Sequence, residues 1–68
     1  MQAPVIQLTR REREILCLVA SGQTDRKIAD TLTISQRTVN RHMSNIFVKL
    51  DVPGRAAAAV YAIRHGLI

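Results

Sequence analysis

Aromatic residues are scarce: across 68 residues the sequence has one Phe, one Tyr and no Trp. Proteins that hold single-stranded nucleic acid stack bases on aromatic rings, and that platform is missing. Cysteine is as rare. Cys17 stands alone, so no internal disulfide can form, and its place in the run ILCLVA predicts that it packs as a small hydrophobe. No apolar run reaches the roughly 18 residues that a membrane-spanning helix needs. The N-terminal MQAPVIQLTRRE has no basic lead followed by an apolar stretch. These absences predict a soluble, cytoplasmic chain with no membrane partner.

Catalytic chemistry lacks its groups too. His42 and His65 have no cysteine or carboxylate at ligand spacing, and Cys17 is expected on a buried face, away from any base. No metal, cofactor or enzyme activity is expected. The last absence is local: no Asp or Glu occurs from Thr31 to Leu50.

Positive charge is what the chain has. Ten Lys and Arg stand against five Asp and Glu, a net charge of +5, which favours nucleic acid or another anionic surface as partner. Arg37, Arg41 and Lys49 fall inside the acid-free stretch, and His42 can add to them. Arg10, Arg11 and Arg13 alternate with Glu12 and Glu14, as on a solvated helix face. A chain of this length buries only about 60% of its unfolded surface, so its stability is expected to be modest, roughly 3–5 kcal/mol.

Residues 1–7 carry Pro4 and no periodic pattern, and read as a linker or an appended remnant; residues 8–68 read as one domain. A first helix is expected to start at the cap Thr9, with Glu12 completing a capping box, and to end near Gly22. Leu8, Glu12, Ile15, Leu16 and Val19 share one side of it. Thr24 caps a second helix running from Asp25 to about Leu32, with Ile28, Ala29 and Leu32 inward. After Thr33 and Ile34, Ser35 caps a third that runs to about Leu50. Val39, Met43, Ile46, Phe47 and Leu50 form its apolar side. DVPG breaks the pattern, and a fourth helix spans Arg55 to about His65. The fold class is all-α, a compact four-helix domain.

Thr24 to Leu50, TDRKIADTLTISQRTVNRHMSNIFVKL, therefore has the layout of a helix-turn-helix, a short helix, a tight turn and a longer basic helix. Positions 37, 40, 41, 44 and 48 lie along one face of the longer helix. Asn suits adenine and Arg suits guanine in the major groove, although Asn40 and Ser44 are equally compatible with ordinary solvated surface.

LTRREREIL, SGQTDRKIADTL, ISQRTVNRHMSNIFVKLDV, then Arg55 and a helix ending HGLI follow one another in the order and spacing of a known family. The chain resembles the LuxR-type, or GerE-like, DNA-binding domain found at the C-terminus of bacterial quorum sensors and of NarL- or FixJ-type response regulators. The resemblance covers nearly all of the chain from Leu8. It implies that the third helix enters the major groove of double-stranded DNA, that the second lies near the backbone, and that the fourth serves as a C-terminal dimerisation helix. Base contacts would come from Asn40, Arg41 and Ser44. Phosphate contacts would come from Thr24, Arg26, Lys27, Arg37, Thr38, His42 and Lys49. Ala57, Ala58 and Tyr61 would form a homodimer interface, weak without DNA, and an N-terminal sensing domain would precede the domain in the full-length protein. Asp25 stands where many members have Asn, and Asn40 and Ser44 stand where many have Lys, Arg or Glu, so the family's base preference does not carry over. Two other readings compete: a helical protein-interaction module and a sequence-neutral nucleic-acid binder.

Overall fold

Hydroxyl side chains start three of the helices. In a computed structural model that describes residues 7–67, Thr9, Thr24 and Ser35 each take up an extended backbone and accept an N–H from the residue three positions on: Glu12 at 3.1 Å, Lys27 at 3.2 Å and Thr38 at 3.0 Å. At Thr9 the box is complete, because the Glu12 carboxylate accepts the Thr9 N–H at 2.9 Å. The elements are α1 (Arg10–Ala20), α2 (Asp25–Leu32), α3 (Gln36–Leu50) and α4 (Arg55–Arg64), with no strand among the described residues. Of the N-terminal linker, only Gln7 falls within the described residues.

The connections are set by single residues in the left-handed region. Gly22 has φ +91° beyond α1, where a residue without Cβ is unstrained. Thr33 ends α2 at φ 58°, and Asp51 ends α3 at φ 55°. Thr33 is β-branched and exposed, so this conformation strains it and its side chain gains little burial in return. Thr33→Gly is therefore expected to stabilise the domain by about 0.5–1 kcal/mol, raising the thermal midpoint by a few degrees, roughly 4–8 °C per kcal/mol for a chain of this size. A melting curve followed by circular dichroism reads it, and a lowered midpoint would refute the strain argument.

All four helices contribute to one core: Ile15, Leu16 and Val19 from α1, Ile28 and Ala29 from α2, Val39, Met43, Ile46 and Leu50 from α3, and Ala58 and Ala62 from α4. Leu32 and Phe47, expected inward, reach only half-buried positions at the edge of this cluster. Cys17, expected on a buried face, is also half-buried, with its thiol 3.5 Å from the Leu67 carbonyl.

α4 departs most from expectation. It packs chiefly on α1 and also on α3, and Ala58 and Ala62 are both fully buried there. Ala58 is thus a core residue, and its expected place in a dimer interface is corrected: a methyl group lets the helix backbone lie close to its own domain. Ala57 and Tyr61 are half-buried, and the Tyr61 ring stacks on His65 at 4.0 Å. The large apolar side chains that α4 turns outward are Val60, 49% exposed, and Ile63, 62% exposed.

Candidate nucleic-acid interface

α3 buries one side and displays the other. With Val39, Met43, Ile46 and Leu50 in the core, helical geometry leaves Arg37, Asn40, Arg41, Ser44 and Val48 exposed on the opposite side. The helix has 15 residues, so this face runs for about 22 Å, the scale of a helix lying in a major groove. No carboxylate lies on it. Neither Arg37 nor Arg41 makes an ion pair with any described carboxylate, so both guanidiniums keep their full set of donors.

The start of α2 supplies the flank. Thr24, Arg26 and Lys27 are exposed there, and neither basic side chain is paired among the described residues. Thr38 is half-buried, and its hydroxyl shares a 2.9 Å hydrogen bond with the Ser35 hydroxyl. His42 is half-buried, with a buried Nδ1 that has no partner among the described residues. Its Nε2 is left as the nitrogen free to meet an outside acceptor.

Lys49 has a partner within the domain. Expected as a phosphate contact, it turns its ammonium inward to the Glu12 carboxylate at 2.7 Å, bridging α3 to the capping box of α1. Glu12 is only 3% exposed. Burial pushes its carboxyl up, but the hydrogen bond from Lys49, the Thr9 N–H and the Lys49 charge outweigh that and hold it below its ordinary value of 4.5. A second pair was likewise not anticipated. Arg55, the first residue of α4, donates one guanidinium nitrogen to the Asp25 carboxylate and the other to the Gln23 carbonyl at 2.6 Å, fastening α4 to the start of α2. The partners are 37 and 30 positions apart in the two pairs. No local spacing announces them; the one available signal was a glutamate on the apolar side of α1.

A shallow groove of about 550 Å³ lies between α1 and α2, floored by Cys17, Leu18 and Leu32 and edged by Arg10 and Arg13. No described helix is long and apolar enough to cross a membrane.

Residues 6–62 match the family model described as bacterial regulatory proteins, luxR family. The transcriptional regulatory protein LiaR of Bacillus subtilis is 51% identical over 65 residues, 96% of this chain and 31% of LiaR. The response regulator protein VraR of Staphylococcus aureus is 48% identical over 61 residues, 90% of this chain and 29% of VraR. Among solved structures, that of the transcription factor GerE superposes with a TM-score of 0.81 at 42% identity, covering 88% of this chain and 90% of GerE. The chain thus spans less than a third of the length of the two regulators and nearly the whole of GerE.

Proposed function

This chain belongs to the luxR family of bacterial regulatory proteins, and from that premise we propose that it is the sequence-specific, double-stranded DNA-binding unit of a longer transcription regulator. The observation that carries the proposal is the exposed, carboxylate-free face of α3, with Asn40, Arg41 and Ser44 as base readers. Arg37, Thr24, Arg26, Lys27, Thr38 and the free side of His42 border it as phosphate contacts. Phosphate contacts would provide most of the affinity and make it salt-dependent, and the base edges would provide discrimination. No catalytic chemistry is assigned, and the cytoplasm is where such a domain meets its DNA. The relatives named as regulators are more than three times as long, in keeping with a sensing or receiver domain elsewhere in the full-length protein. Family membership does not favour a helical interaction module or a sequence-neutral binder.

Selection of randomised duplexes by the purified domain tests the proposal, with affinity then followed as salt rises. Enrichment of one motif with a steep salt slope is expected. Equal recovery of all duplexes would leave a sequence-neutral binder, and no recovery would remove DNA as the partner.

A second copy is the proposed partner of α4. The outward side chains Val60 and Ile63, with Ala57 and Tyr61 beside them, form a small apolar patch. Such a patch gives a weak contact by itself, and two half-sites about ten base pairs apart turn it into cooperative binding. Ile63→Lys is expected to weaken binding to a two-half-site duplex by about tenfold and leave a single half-site unaffected. Equal loss on both would place Ile63 outside the contact between copies.

A further inference from the structure

The Asp25–Arg55 pair sits at the boundary of the protein, with side chains 29% and 40% exposed. An ion pair so open to water adds little to stability, so fastening α4 to α2 is a weak reason for its presence. Its surroundings point elsewhere. Arg26 and Lys27 follow Asp25 directly, both exposed and unpaired among the described residues, so the pair lies in the basic corner assigned above to the DNA backbone. Of the five guanidinium N–H groups of Arg55, one is engaged by the Asp25 carboxylate and one by the Gln23 carbonyl. Guanidinium recognises carboxylate and phosphate through the same forked geometry.

We propose that Arg55 is a phosphate-binding residue held in reserve, and that the Asp25 carboxylate occupies the place a DNA phosphate oxygen would take. Asp25 then acts as an internal competitor. It lowers affinity for every duplex alike, because the contact it blocks carries no base information. The inference rests on the reading that the Thr24–Lys27 corner borders the DNA backbone.

The test compares Asp25→Asn, Arg55→Gln and the double variant, on the selected duplex and on random duplex, across a salt series, with thermal midpoints measured in parallel. Asp25→Asn keeps the shape and removes the charge. It is expected to bind both duplexes about three- to tenfold tighter, with the salt slope steeper by about 0.9, the increment for one further phosphate contact. In the Arg55→Gln background the same change is expected to leave the slope as it was. A lower midpoint with unchanged affinity and slope for Asp25→Asn would overturn the proposal and leave the pair a structural clamp. An equal gain in both backgrounds would overturn it too, since the carboxylate would then repel phosphate without involving Arg55. Failure of the unmodified domain to bind any duplex would instead bring down the DNA-binding reading itself.

Discussion

Replacing Lys49 with alanine is expected to lower the stability of the domain by about 2–3 kcal/mol and its thermal midpoint by roughly 10–20 °C, while the salt dependence of DNA binding stays as it was. The cause is the carboxylate left behind. Glu12 is 3% exposed, and without the ammonium only the Thr9 end of its hydrogen bonding remains. Removing one partner of a buried pair costs about 3–5 kcal/mol, reduced here because the Lys49 side chain is 36% exposed. A domain of this size has about that much stability in total, so the variant would be close to unfolding at growth temperature.

Acid provides an internal control. The folded-state carboxyl of Glu12 lies below its ordinary 4.5, so in the unmodified domain the pair's contribution is complete above that value and is lost as pH falls through the lower, folded one. In Lys49→Ala only the Thr9 hydrogen bonding offsets the desolvation of the carboxyl, and protonation relieves it. The gap in midpoint between the two proteins is therefore expected to narrow as the buffer is taken from neutrality to about pH 4. Lys49→Met combined with Glu12→Gln removes both charges and is expected to recover much of the loss. A midpoint gap that is small at neutral pH, or constant across the range, would mean that the pair holds nothing together; a shallower salt slope would return Lys49 to the DNA surface.

Local chemistry explains why so much of this fold could be read from the sequence. A hydroxyl cap and a glutamate three residues on act within one turn, so Thr9, Glu12, Thr24 and Ser35 predict the helix starts found in the structure. The period of Val39, Met43, Ile46 and Leu50 orients α3, and its exposed face follows from that. α4 has no such guide. In RAAAAVYAIR nearly every position is apolar or small, so the pattern does not say which methyl groups face the core, and Ala58 turns into it rather than toward a second copy. The partners of Lys49 and Arg55 were not legible for another reason: a long basic side chain at the edge of a face can turn outward or inward, and its partner is fixed only by the tertiary fold.

The difference between a charge that attracts DNA and one that reads it is largest at Arg41. It lies midway along the exposed face of α3, with Asn40 beside it, Arg37 one turn before and Ser44 one turn after, and no described carboxylate competes for its guanidinium. A guanidinium aimed at guanine O6 and N7 is worth about 1–3 kcal/mol of discrimination. Arg41→Ala is therefore expected to weaken binding to the selected duplex by about 10- to 100-fold, and binding to random duplex by no more than about threefold. Arg41→Lys sharpens the comparison, because it keeps the charge and loses the planar fork. If Arg41 reads a base, the lysine variant resembles wild type on random duplex and the alanine variant on the selected one. If it only neutralises phosphate, lysine restores binding to both duplexes, and discrimination must then rest on Asn40 and Ser44. Position 41 is also where a folding defect is least able to imitate the result: the side chain is exposed and makes no hydrogen bond within the described residues, so both variants are expected to melt with the unmodified domain.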